Sequence, residues 1–89
     1  MKPLEEEILE YAYVMKMKYW ADSISLAKIS YKMQRHVRAV KSAVNDLIAK
    51  GLLERRYEGA SLSYTISRKG IDLIEKNGLV KIRDWVTEA

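Results

Sequence analysis

The side chains with the clearest chemistry lie between Gln34 and Leu53, in the stretch QRHVRAVKSAVNDLIAKGLL. Val37, Val40, Val44, Leu47 and Ile48 recur at steps of three and four, the period of one buried helix stripe. Arg35, His36, Arg38, Lys41, Ser42 and Asn45 fall on the other face. Arginine donates two hydrogen bonds to a guanine edge, and asparagine pairs bidentately with adenine. Lysine and serine suit phosphate oxygens. A helix over 34–50 with this front is expected to face DNA. Arg38, Ser42 and Asn45 are the expected base contacts, with Arg35 and Lys41 nearer the backbone.

Other chemistries find little support. The chain has no cysteine, so thiolate metal sites, thiol nucleophiles and disulfides are impossible. His36 is the single histidine, and a lone histidine makes no metal site. Glu5-Glu6-Glu7 lacks a partner histidine or a phosphate loop. It reads as helix-start electrostatics rather than acid–base machinery. The expectation is a protein that is not an enzyme, with no cofactor and no small-molecule ligand implied.

The charge distribution supports a polyanionic partner. The 89 residues carry a formal net charge of +4. The first ten oppose Lys2 to Glu5, Glu6, Glu7 and Glu10. Between 23 and 56, Lys28, Lys32, Arg35, Arg38, Lys41, Lys50, Arg55 and Arg56 face only Asp46 and Glu54. A basic region this concentrated attracts nucleic acid, although a solvated helix face has the same composition. Apolar runs are too short to span a bilayer, and the acidic N-terminus is unlike a signal peptide. One small domain over 1–89 is expected, in the cytoplasm.

Several elements must position that front. Pro3 opens a first helix to about Lys18, with Leu4, Ile8, Tyr11, Ala12 and Met15 as its stripe. Tyr13, Val14 and Met17 give it spare apolar surface. Lys18 to Ala21 reads as a brief extended segment, and Asp22 or Ser23 as the cap of a second helix over 24–32. In that helix Ile24, Ala27 and Tyr31 share one side, with Leu26, Ile29 and Met33 close by. Gly51 stops the third helix by supplying a left-handed C-terminal cap. Leu52–Tyr57 and Leu62–Ile66 read as two strands around a turn at Gly59-Ala60. Ser67 caps a fourth helix that ends at Asn77-Gly78. Trp20 and the six tyrosines could stack on single-stranded bases, but such residues more often read as core, and Tyr11 and Tyr64 sit on apolar faces. The class is α+β.

Two patterns carry a family resemblance. Leu47-x-x-x-Gly51-Leu52-Leu53-x-Arg55-Arg56 resembles the end of a recognition helix entering a wing, and Tyr64-x-Ile66-Ser67-x-x-Gly70 a second wing strand entering the next helix. In this order they resemble the small winged helix-turn-helix regulators of the MarR-like and PadR-like groups, over about residues 4–77. Two departures stand out. Ser67 replaces a commoner threonine, and the stretch between the second and third helices counts about three residues longer than the family turn.

The resemblance implies three helices, a β-hairpin wing over 54–62, and one or two C-terminal helices. It implies double-stranded DNA as partner, read in the major groove by the third helix. The wing arginines Arg55 and Arg56 would reach flanking DNA, with strand alternation turning only one of them toward it. Lys28 and Lys32 would clamp phosphates. From the residues themselves, Leu79, Ile82, Trp85 and Val86 form an apolar tail over 79–89 that suits a homodimer interface, the alternative being a tail folded back over its own first helix. Repression of transcription by blocking polymerase is the simplest mechanism, and an archaeal or viral origin would suit the short, cysteine-free chain. The competing expectations are a winged-helix protein-interaction adaptor without DNA binding and an RNA-binding winged helix.

Overall fold

In the computed structural model the described residues are 1–77, and the expected tail over 79–89 lies outside them. The order is α1 (Pro3–Met17), β1 (Ile24–Ser25), α2 (Leu26–Met33), α3 (Val37–Ala49), β2 (Leu53–Glu58), β3 (Ser61–Ile66) and α4 (Arg68–Asn77). The class is α+β, as expected.

One buried cluster joins all the helices and strands. Ile8, Leu9, Tyr11 and Ala12 of α1 meet Ile29 and Met33 of α2, Val40, Ala43, Val44 and Leu47 of α3, Tyr64 and Ile66 of β3, and Ile71 and Ile74 of α4. Each large aliphatic side chain buried in this way contributes about 1.5–3 kcal/mol relative to exposure. The α3 stripe therefore outweighs any single cap in deciding how that helix is rotated.

The strands form an antiparallel sheet in the order β1-β3-β2. β2 and β3 pair from Leu53↔Ile66 out to Glu58↔Ser61, which leaves Gly59-Ala60 as a two-residue turn. β1 pairs with the other edge of β3 through Ile24↔Tyr64 and Ser25↔Ser63.

Several expectations are corrected. The extended segment is Ile24–Ser25, not Lys18–Ala21, because Ile24 is buried beside Tyr64. Helix α2 accordingly starts at Leu26, capped by Ser25 rather than Asp22 or Ser23: the Lys28 N–H donates to Ser25 Oγ at 3.1 Å. Its buried side is Ile29 and Met33, whereas Ala27 and Tyr31 are exposed. Val14 is not spare surface on α1 but is fully buried. Leu62 is 39% exposed, since it sits too close to the hairpin tip to reach the cluster. Trp20 is 85% exposed at φ +58, far from the core role expected of it.

The two sequence patterns meet in space. Gly51, at φ +75, donates its N–H to Ile48 O, and Leu52 N–H donates to Leu47 O, the paired bonds of a Schellman cap. Ser67 binds that cap from the far side. Its hydroxyl donates to Gly51 O at 2.6 Å and accepts the Gly70 N–H at 3.0 Å, while its own N–H donates to Leu52 O at 3.0 Å. Gly70 lies so close that a Cβ there would collide with the Leu52 carbonyl and come within 2.6 Å of Ile66 Cγ1. Gly70→Ala should therefore destabilise the fold by about 1–3 kcal/mol, read as a lower urea midpoint. An unchanged midpoint would mean that the α4 start does not press on the α3 cap.

Candidate nucleic-acid interface

Helix α3 is held at both ends and leaves one face free. At its start, the turn from α2 is only Gln34-Arg35-His36. The expected extra three residues are absent, so the turn is as tight as in other helix-turn-helix units. Its geometry repeats the cap seen at Gly51. Gln34 sits at φ +54, its N–H donates to Tyr31 O, and Arg35 N–H donates to Ser30 O. Ser30 Oγ also donates to Arg35 O at 2.6 Å. A glutamine thus occupies the left-handed position usually given to glycine, at a cost of about 1–2 kcal/mol. His36 follows as the N-cap, with Nδ1 accepting the Arg38 N–H at 3.1 Å.

This turn shortens the expected helix. Its first residue is Val37, not Gln34, so Arg35 belongs to the turn and His36 to the cap. Val37 is also not part of the buried stripe. It is 45% exposed at the first helical position, while Ala43 takes a buried place that the sequence pattern did not assign. Ile48 is half-buried.

Arg38, Ser42 and Asn45 fall at positions i, i+4 and i+7, which makes them one row along the helix. Lys41 lies beside that row, one turn beyond Val37. All four are exposed, on the side away from Val40, Ala43, Val44 and Leu47. Asp46, the one acid of α3, borders a shallow recess with Lys2 and Glu5 of the N-terminal segment. Lys28 is exposed in the first turn of α2, and Lys32 is half-buried in its last turn. Arg55 and Arg56 are both exposed on β2. The structure therefore gathers Arg38, Lys41, Ser42 and Asn45 on one helix, with Arg35 immediately before it, and puts the wing arginines on a separate element.

The C-terminal end of α3 is tied to α1 by charge. Lys50 Nζ donates to Glu5 Oε1 at 2.6 Å, with the carboxylate side chain only 2% exposed and the amine half-exposed. Glu5 lies in the first turn of α1 as expected, and its buried carboxylate also pairs with the end of α3. Lys69 Nζ adds a bond to Lys50 O at 3.1 Å. The Lys50 hydrogen bond holds the Glu5 carboxyl below its ordinary range, against burial, which pushes it up.

This arrangement of helices, tight turn and hairpin is the winged-helix fold. Solved structures agree. MepR, a transcription regulator of the Staphylococcus aureus multidrug efflux pump MepA, superposes with a TM-score of 0.77 at 20% identity, over 99% of this chain and 62% of MepR. A MepR–DNA complex gives the same score and identity over 99% of this chain and 68% of that one. A Ralstonia eutropha protein described as DNA-binding matches at 0.74 and 20% identity, over 86% of this chain and 96% of its own. Lactococcus lactis ZitR matches at 0.74 and 14%, over 98% of this chain and 57% of ZitR. The chain thus spans about three-fifths of the free MepR chain. No protein-family model and no curated protein matches it. Among the described residues no helix is long and apolar enough to cross a membrane, and no cluster of metal-binding side chains occurs.

The Glu5–Lys50 tie makes a pH prediction. A carboxyl depressed in the folded state adds stability that is complete above its unfolded value near 4.5 and is lost as pH falls through the folded value. Glu5→Gln should therefore cost about 1 kcal/mol at pH 7, a charged hydrogen bond discounted for the half-exposed amine. Urea titrations of the two proteins should converge as pH falls from 5 to 3. A gap that stays constant over that range would show that the pair contributes no charge-dependent stability.

Proposed function

We propose that the protein is a sequence-specific double-stranded DNA-binding transcription regulator that acts as a homodimeric repressor. The observation that carries this reading is the exposed front of α3, with Arg38, Ser42 and Asn45 in one row on a helix whose opposite side is locked into the core. A major groove admits one α-helix, and the first turns of a recognition helix meet base edges there. Likeness to MepR, a fold solved together with DNA, supports the same use of the fold here.

In this reading Arg38 and Asn45 read base edges and Ser42 lies between them. Lys41 and Arg35 hold the backbone on either side, and Lys28 and Lys32 add phosphate contacts from α2. One of the two wing arginines, Arg55 or Arg56, reaches flanking DNA. The apolar residues Leu79, Ile82, Trp85 and Val86 support a two-fold dimer, which would set two copies of α3 about 34–36 Å apart on a near-palindromic site. Repression follows if the bound dimer occupies ground that polymerase needs.

Substitutions on the row test the assignment. Arg38→Ala and Asn45→Ala should each relax preference at one base pair by about 1–3 kcal/mol. Lys41→Ala should instead weaken binding to every sequence alike and make the salt dependence shallower, by about 0.9 in log–log slope. Competition binding with single-base variants of the selected site distinguishes these outcomes. Specific binding left intact by both Arg38→Ala and Asn45→Ala would remove α3 as the reading element.

A further inference from the structure

The register of the wing sorts its side chains onto two faces of opposite character. Directly paired residues on antiparallel strands share a face. Leu53↔Ile66, Arg55↔Tyr64 and Tyr57↔Leu62 therefore lie on one side, and Glu54↔Thr65, Arg56↔Ser63 and Glu58↔Ser61 on the other. On the first side, Leu53, Ile66 and Tyr64 are buried in the same cluster as Val40, Val44 and Leu47 of α3. That face thus turns toward the core that α3 helps to close. Beyond its last buried residue it continues outward as Arg55, Tyr57 and Leu62, with Tyr57 68% exposed and Leu62 39% exposed.

The second face differs in charge. Arg56 stands between Glu54 and Glu58, each two residues away on the same side, and Lys16 Nζ reaches Thr65 Oγ1 on that face at 3.4 Å, so acids and bases balance there. A phosphate backbone would gain no net attraction there. The first face offers a guanidinium with no strand carboxylate on its own side, followed by an exposed aromatic–aliphatic pair. Such a pair has no partner chemistry in a phosphate, but the walls of a minor groove are sugar carbons, and apolar side chains are used there.

We infer that the wing engages duplex DNA with one face only: Arg55 takes a phosphate beside the α3 site, Tyr57 and Leu62 pack on the deoxyribose walls of the adjoining minor groove, and Arg56 faces away. The inference rests on the DNA-binding reading above and settles a choice between the two arginines that strand alternation alone left open. It also assigns a role to two exposed apolar residues that the core does not use.

The test compares wild type, Arg55→Ala, Arg56→Ala and the double variant Tyr57→Ser/Leu62→Ser, binding a duplex that carries the selected site and its flanks across a salt series. Arg55→Ala should lose about one phosphate contact, a log–log slope shallower by about 0.9. Arg56→Ala should superimpose on wild type. The double variant should bind about tenfold more weakly with an unchanged slope, as loss of apolar area predicts. All four side chains are exposed, so thermal unfolding should not move, and this checks that the variants fold. A slope change in Arg56→Ala but not in Arg55→Ala would overturn the inference, as would a double variant that binds like wild type. A double variant that instead alters sedimentation would make this face a contact between copies and equally overturn it. Wild-type protein that binds no duplex at low salt would defeat the DNA reading itself. Wild-type binding with a silent Arg55→Ala would defeat only the sidedness of the wing.

Discussion

The fold depends on how closely the start of α4 approaches the end of α3. Gly51 takes a left-handed conformation, and this turns the chain at once from α3 into β2. The turn leaves the Gly51 and Leu52 carbonyls facing the start of α4, where the Ser67 hydroxyl and N–H satisfy them. Buried backbone carbonyls without such partners would cost about 1–3 kcal/mol each. Gly70 is what permits the approach, because any side chain there would meet the Leu52 carbonyl. One small contact thereby fixes three things together: where α3 ends, where the wing begins, and where α4 departs.

The exposed front of α3 follows from that anchoring. With its C-terminal end held by Ser67, Lys69 and the Glu5–Lys50 pair, and its start set by the Gln34 turn, α3 has little freedom to slide or rotate. Its apolar stripe then decides which residues face outward. The front is free of structural duties: neither the Arg38, Lys41, Ser42 and Asn45 side chains nor the ends of Arg55 and Tyr57 contribute to the buried cluster. Under the proposed function, such a division would let the front change with the target while the scaffold stays the same. The strained Gln34 turn is the exception, since there the scaffold itself carries a cost at the edge of the surface.

Much of this was legible in the amino-acid order because it rests on periodicity and on glycine. The α3 stripe, the Gly51 stop, the hairpin around Gly59-Ala60 and the Ser67 cap each follow from a local rule, and each is found in the structure. The errors fall where a local rule had no signal. Gln34 does the work of a glycine without being one, so nothing in the residue order marks the left-handed turn or the true start of α3. Ile24 resembles a helix residue by spacing, and only the tertiary pairing with Tyr64 makes it a strand. Val37 fits the apolar period but sits one turn too early to reach the core, and Leu62 alternates correctly but too near the hairpin tip. The sidedness of the wing needed the pairing register, which no single strand discloses.

The central claim is that the exposed row on α3 reads duplex DNA in the major groove. The most direct test is selection from a random-sequence duplex library, followed by affinity measurements on the winner across a salt series. The account predicts an enriched two-fold-symmetric site with half-sites about one helical turn apart. It also predicts a steep loss of affinity with salt, about 0.9 in log–log slope for each phosphate neutralised. Steep salt dependence with no enriched sequence would leave a positively charged domain that holds DNA without reading it, and would contradict the claim.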